Sequence, residues 1–187
     1  MSLTIIMGPM FAGKSTMLIN KINNLLLIEN IGENNIYLIN HISDNRYCDQ
    51  GGFSIATHDG HSIKSHGCDR LSDILNILES NTIIHIIIDE AHFYEDLFDV
   101  VVKLLSRGKH IIVAGLSGDY KLKPFTKSRF LDLIPYCTEI IKLSARCEIC
   151  NRPAHYTMMI SNSDISGQIK VAGKETFIPV CPEHYFG

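Results

Sequence analysis

The residues with the plainest chemical meaning are Gly8-Pro9-Met10-Phe11-Ala12-Gly13-Lys14-Ser15. The pattern G-x-x-x-x-G-K-S sets successive backbone N–H groups around a triphosphate, while the glycines keep side chains out of the way. In such a loop Lys14 reaches the β- and γ-phosphates and the Ser15 hydroxyl is a Mg²⁺ ligand. The positive end of a helix beginning near Lys14 adds its own attraction for the anion. The pattern needs a strand before it and a helix after it. Leu3–Met7 is a short apolar run, and from Lys14 to about Glu29 the residues Met17, Leu18, Ile22, Leu25 and Leu26 recur at helical spacing. The sequence therefore points to binding of a nucleoside triphosphate.

Two further groups carry chemistry. Thr82–Ile88 is a β-branched run that ends in Asp89-Glu90. An apolar strand ending in an acidic pair is the second half of a P-loop enzyme, with Asp89 placed to hold the Mg²⁺ shell opposite Ser15 and Glu90 facing the reacting groups. The alternative, a strand ending in solvated acids, loses weight beside the upstream phosphate loop. Near the C-terminus, Cys147-Glu148-Ile149-Cys150 and Cys181-Pro182-Glu183-His184 form two short knuckles. Three thiolates and one imidazole make a closed tetrahedral set for a structural Zn²⁺. Cys48, Cys68 and Cys137 are scattered, and His41, His58, His61 and His66 show no ligand spacing and read as solvated loop residues.

The elements that must position these groups alternate. Strands are expected at Leu3–Met7, Ile36–Ile39, Thr82–Ile88 and His110–Gly115, with a last core strand over Thr138–Leu143. Helices are expected over Lys14–Glu29, Asp69–Ser80 (capped by Asp69 or Ser72), Glu95–Ser106 and Phe130–Ile134, and Gly108 closes the third of these. A hairpin or an ordered loop is expected around Thr57–Gly60. Strands and helices in alternation imply an α/β fold: a P-loop, RecA-like parallel sheet flanked by helices. Residues 1–143 form this nucleotide-binding part, and 144–187 form a small zinc-ribbon β domain carrying a lasso loop. Within the latter, His155–Ile160 and Gln168–Val171 read as hairpin arms around a tip at 161–167. A module of about forty residues builds little core, so a metal staple is physically expected.

Composition narrows the class. The 187 residues carry a net charge of −3, which argues against nucleic-acid binding through a broad basic surface. The longest apolar runs are too short to span a bilayer, and Met1 lies too close to the first strand for a leader peptide. Six cysteines without a leader fit a reducing compartment, so a cytoplasmic location is expected.

Taken together, GPMFAGKS at Gly8–Ser15, Asp44-x-Arg46, DEAHF at Asp89–Phe93, Leu116–Phe125 with its KPF ending, the CxxC and CxxH pair, and VAGKETF before Cys181 resemble the type II thymidine kinases. These are the cellular, bacterial and large-DNA-virus enzymes with a zinc-held lasso. The resemblance implies transfer of the γ-phosphoryl group of ATP to the 5′-hydroxyl of thymidine. It also implies Mg²⁺, structural Zn²⁺, feedback inhibition by thymidine triphosphate and a homotetramer, with neither nucleic acid nor membrane as partner. Glu90 becomes the base and Arg46 a stabiliser of the transferring charge, with Asp44 holding that loop. Met10, Phe93, Leu116, Tyr120, Phe125 and Thr157 match positions around the nucleobase. Gln168, Ile169, Lys170, Val171 and Ala172, with Phe177, match the lasso.

Three positions depart from the family pattern: Phe177 replaces Tyr, Ala172-Gly173 replaces Gly-Gly, and His92 replaces Gln. They bear on base and sugar contacts and leave the phosphoryl-transfer residues untouched. The rival from another class is a P-loop ATPase whose zinc ribbon binds single-stranded nucleic acid, disfavoured by the few cations near the ribbon, Arg152, Lys170 and Lys174.

Overall fold

A computed structural model describes residues 1–44, 53–56, 62–160 and 175–187. Strand β1 (Ser2–Gly8) runs into the phosphate loop and helix α1 (Lys14–Leu27) leaves it. β2 (Ile36–His41) follows, then a small antiparallel pair, β3 (Ser54–Ala56) and β4 (Ser62–Lys64), and β5 (His66–Cys68). A 3-10 turn over Leu71–Ile74 leads into the short α2 (Leu75–Leu78), β6 (His85–Ile88), α3 (Leu97–Ser106) and β7 (His110–Leu116). After a 3-10 stretch at Phe130–Tyr136 comes β8 (Glu139–Lys142). The C-terminal module holds β9 (Ala145–Arg146), β10 (Pro153–Ala154), β11 (Tyr156–Met159), β12 (Phe177–Val180) and α4 (Pro182–Phe186).

The main sheet has the order β5-β2-β6-β7-β1-β8, and every pairing in it is parallel. Parallel strands need crossovers, and the crossovers cover both faces, so the central strands are apolar on both sides. Side-chain alternation divides β1 between them. Ile6 faces α1 with Leu18, Ile22 and Leu25, while Leu3, Ile5 and Met7 face the side packed by Leu97, Val101 and Leu104 of α3. All of these side chains are buried. Each such side chain contributes on the order of 1.5–3 kcal/mol relative to exposure. Among the described residues, no helix is long and apolar enough to cross a membrane.

Several boundaries differ from the sequence expectation. The helix expected over 69–80 is a 3-10 turn followed by a single α turn, and neither Asp69 nor Ser72 caps it. The Asp96 carboxylate does so from a distance, accepting the N–H groups of Leu71 (3.2 Å) and Ser72 (2.8 Å). The β-branched run at 82–88 pairs only from His85, because Lys109 donates to the carbonyls of Ser80 and Ile83 at 2.6 Å each and holds the preceding turn. The strand at 139–142 is the sheet's outer edge rather than a core strand, with Ile140 exposed. β3 and β4 supply the arms of the expected hairpin, whose tip at 57–61 lies outside the described residues. β5, only three residues long, gave no periodicity to read.

In the C-terminal module β11 pairs antiparallel with β12, Tyr156 opposite Val180 and Met159 opposite Phe177. The expected arm at Gln168–Val171 lies outside the described residues. A strand leading straight into Cys181 delivers that ligand beside Cys147 directly.

At the sheet's other end His85 and His110 are register partners, with rings 5.0 Å apart and 25° from parallel. Burial holds both below the ordinary histidine value of 6.5, and the His110 charge lowers His85 further. A histidine depressed in the folded state favours folding while neutral, so its contribution is full above about pH 6.5 and is lost as pH falls through and below it. Urea unfolding at about pH 7.5 and about pH 5.5 should show His85→Leu losing less stability in acid, relative to its own value at about pH 7.5, than the wild type does.

Candidate active site

The phosphate loop is set by two glycines with different duties. Gly13 has φ +80° with open space around a would-be Cβ, so the backbone conformation, not crowding, requires glycine. At Gly8 a Cβ would lie 2.8 Å from the Leu143 carbonyl oxygen, so there close approach of the edge strand requires it. Phe11 also has positive φ, 61°, inside the loop. Lys14 opens α1 and is buried, its ammonium donating to the Pro9 carbonyl at 2.8 Å. It begins a helix of fourteen residues with aligned peptide dipoles, whose positive end faces the loop.

The acidic pair sits where β6 ends. Asp89 is buried; its Oδ2 accepts the Ser15 hydroxyl at 2.9 Å and its Oδ1 accepts the Glu90 N–H at 2.9 Å. Burial first, and then the neighbouring Glu90 charge, push the Asp89 carboxyl up to about 7. Ser15 and Asp89 are hard oxygen donors held within reach of each other, one of them a buried carboxylate. This donor set fits a divalent cation such as Mg²⁺. Glu90 adopts φ 49°, a left-handed conformation uncommon outside glycine and asparagine. It turns the chain out of the strand, and its Oε2 lies 3.6 Å from His92 Nδ1.

Beyond Glu90 lies a pocket lined by Met10, His92, Phe93, Leu116, Gly118, Asp119, Tyr120, Phe125, Thr157 and Phe177. Six residues expected around a nucleobase (Met10, Phe93, Leu116, Tyr120, Phe125 and Thr157) thus meet in one place, together with Phe177. The Met10 N–H donates to Thr157 Oγ1 at 3.0 Å, joining the phosphate loop to β11. The Tyr120 and Phe177 rings lie 5.9 Å apart, and His92 packs between Phe93 (4.3 Å) and Phe125 (4.8 Å). The Leu116 N–H donates to His92 Nδ1 at 3.3 Å, which assigns the ring proton to Nε2. The open volume is about 30 Å³, so a pyrimidine ring must part these walls to enter.

Gly118 and Asp119 were not anticipated in the lining. The turn signal at Ser117-Gly118-Asp119 was present, and Asp119 uses it: its Oδ1 accepts the N–H groups of Lys121 and Lys123, both at 2.8 Å. His41 is a correction as well. It is buried at the end of β2, not solvated, and stacks on Phe93 at 5.2 Å while its Nδ1 accepts the Ser43 N–H at 3.1 Å. Asp44 is buried beside it, with Asn40 Nδ2 3.4 Å from Asp44 Oδ2. Arg46 and Gln168, Ile169, Lys170, Val171 and Ala172 lie outside the described residues.

The sulfurs of Cys147, Cys150 and Cys181 and a ring nitrogen of His184 lie within 4.8 Å of one another. The set is compatible with a tetrahedral zinc site. Burial alone would raise the Cys147 thiol, but backbone N–H groups, those of Cys181 and Cys150 foremost, outweigh it and bring it down to about 6, readying a thiolate. Arg152 donates to Cys150 Sγ at 3.3 Å and pairs with Glu183, an outer layer around the ligands. Protein purified from zinc-supplemented cells is expected to hold about one Zn²⁺ per chain. Cys150→Ser should lower that content and expose the β11–β12 region to limited proteolysis; full zinc content in the variant would remove Cys150 from the set.

Comparison with known proteins agrees with this geometry. The family model described as thymidine kinase matches residues 1–185. A thymidine kinase of Oryza sativa subsp. japonica is 38% identical over 185 residues, covering 97% of this chain and 65% of the rice protein, so the chain spans about two thirds of that relative. The thymidine kinase of Choristoneura biennis entomopoxvirus is 36% identical over 184 residues, 97% of this chain and 94% of its own. A cytosolic thymidine kinase of Gallus gallus is 31% identical over 183 residues, with 97% and 75% covered. A match along nearly the whole chain, to relatives sharing its length within a few per cent in the viral case, places this chain in the thymidine kinase family.

Proposed function

We propose that this protein transfers the γ-phosphoryl group of ATP to the 5′-hydroxyl of thymidine, giving thymidine monophosphate and ADP. The observation that carries the reading is Glu90, whose N–H binds the Asp89 carboxylate held by Ser15 and whose Oε2 lies 3.6 Å from His92 of the ring-lined pocket. The Glu90 carboxylate takes the 5′-hydroxyl proton as the oxygen bonds to the γ-phosphorus and the bond to the β-phosphate oxygen breaks. Lys14 and the loop N–H groups of Gly8–Ser15 hold the phosphates, and Arg46 meets charge on the transferring group. Ser15 and Asp89 would hold Mg²⁺, whose chemistry here is neutralisation of phosphate charge. Such transfer depends on positioning and charge stabilisation, and this inventory supplies both.

The rings of Phe93, Tyr120, Phe125 and Phe177 give the base its apolar walls, Met10, Leu116 and Thr157 complete them, and Gln168–Ala172 close over it. A separate apolar cluster of Ala145, Cys147, Ala154, Val180 and Cys181 supports dividing the chain into a nucleotide-binding part, 1–143, and a zinc-held part, 144–187. Family membership supports a cytoplasmic homotetramer.

ADP release with ATP and Mg²⁺ should require thymidine, yield thymidine monophosphate, and fall by roughly 10²- to 10⁴-fold in kcat in Glu90→Gln. ADP release indifferent to nucleosides and stimulated by single-stranded DNA would overturn the proposal. Thymidine triphosphate, filling both halves of the site at once, should raise the apparent KM of thymidine and of ATP. Inhibition untouched by thymidine concentration would exclude a shared pocket.

A further inference from the structure

The C-terminal module supplies more to the pocket than the side chains of Thr157 and Phe177. Tyr120 stands on the loop after β7, and its ring forms one wall of the pocket against Phe177. Its backbone carbonyl accepts a hydrogen bond from the Tyr185 hydroxyl at 2.7 Å, from a residue sixty-five positions away. Tyr185 belongs to α4, the short helix that also carries His184. Its ring is seated by neighbours in the same module, Tyr156 at 5.2 Å and Phe186 at 4.9 Å. The donor is therefore set by packing before it meets the loop.

We infer that Tyr185 is a positioning residue for nucleoside binding: its hydroxyl fixes the Tyr120 backbone and so sets where the pocket's outer wall stands. The inference rests on the thymidine kinase reading above and adds a residue outside the pocket lining to it. Within the loop, Asp119 gathers the N–H groups of Lys121 and Lys123, and the Asp119 N–H donates to the Lys123 carbonyl at 2.9 Å. These bonds make the loop stiff internally without fixing where it sits. The bond from Tyr185 fixes its place against the zinc module. It holds main chain only, so the Tyr120 ring stays free to turn about its χ angles as the walls part for a base. Tyr120 lines the pocket for the base, whereas Lys14 and the loop N–H groups that meet the phosphates belong to a different segment, so the effect falls first on nucleoside affinity.

The test is Tyr185→Phe in the zinc-loaded full chain, which removes the hydroxyl and keeps the ring. The KM for thymidine is expected to rise by about 3- to 10-fold, the range that corresponds to one net hydrogen bond. The kcat and the KM for ATP should stay within about twofold and zinc content should be unchanged. Phe186→Leu, which loosens the seat of the Tyr185 ring and keeps its hydroxyl, should raise the thymidine KM by a smaller factor than Tyr185→Phe does. An unchanged thymidine KM in Tyr185→Phe, or equal changes for both substrates, would each overturn the inference. Wild-type protein that does not phosphorylate thymidine would instead overturn the reading on which the inference rests.

Discussion

A buried carboxylate is the constraint on which the rest of the site depends. Asp89 is 3% exposed, and an ionised carboxylate so placed costs several kcal/mol unless its oxygens are met. Ser15 and the Glu90 N–H meet them, one on each oxygen. The Ser15 bond reaches across the sheet, because β7 lies between β6 and β1. The first turn of α1 is thereby tied to the end of a strand that it does not neighbour. A parallel sheet makes such a tie possible, since all its strands deliver their carboxyl ends, and the loops that follow them, to one edge. Phosphate loop, acidic pair and the loop after β7 lie together for that reason.

The second half of the site comes from a module too small to be stable on apolar burial alone. Its cluster of Ala145, Cys147, Ala154, Val180 and Cys181 also receives Ala12 from the phosphate loop. One residue along from Phe11, Met10 gives its N–H to Thr157 and its side chain to the pocket lining. In the proposed reaction the same short loop would grip phosphate with its backbone and face the base with a side chain. The distance between the two ends of the reaction is set within a few residues, and the phosphates and the base cannot drift independently.

Much of this was legible in the sequence because the signals were local. The phosphate loop, the strand ending in Asp89-Glu90 and the paired cysteine knuckles each state their chemistry within a few residues. The convergence of Met10, Phe93, Leu116, Tyr120, Phe125, Thr157 and Phe177 followed from family motifs, since nothing in their spacing brings them together. What failed was decided at a distance. Asp96 caps a turn twenty-four residues before it, so the turn's own residues could not reveal the cap. The pairing of β11 with β12 joins segments about twenty residues apart, which no local pattern announces. His41 looked solvated beside a polar turn, yet Phe93 and Tyr94 close over it from another element.

The composition of the pocket limits how it selects. Rings cover the faces of a base and contribute area and dispersion, with little discrimination along its edge. Several side-chain acceptors of the walls take part in building them: Thr157 Oγ1 accepts from Met10, His92 Nδ1 from Leu116, and Asp119 Oδ1 from Lys121 and Lys123. Phe177 in place of a tyrosine keeps a ring and omits a hydroxyl, which suits a wall acting through shape. Shape distinguishes thymidine from deoxyuridine by one methyl group, and one such group in an apolar pocket is worth only about 1–3 kcal/mol. That amount is lost if a wall shifts by less than a methyl radius. Preference for thymidine therefore rests on how firmly the loop of Tyr120 and the strand of Phe177 are held, and both are held from the zinc module.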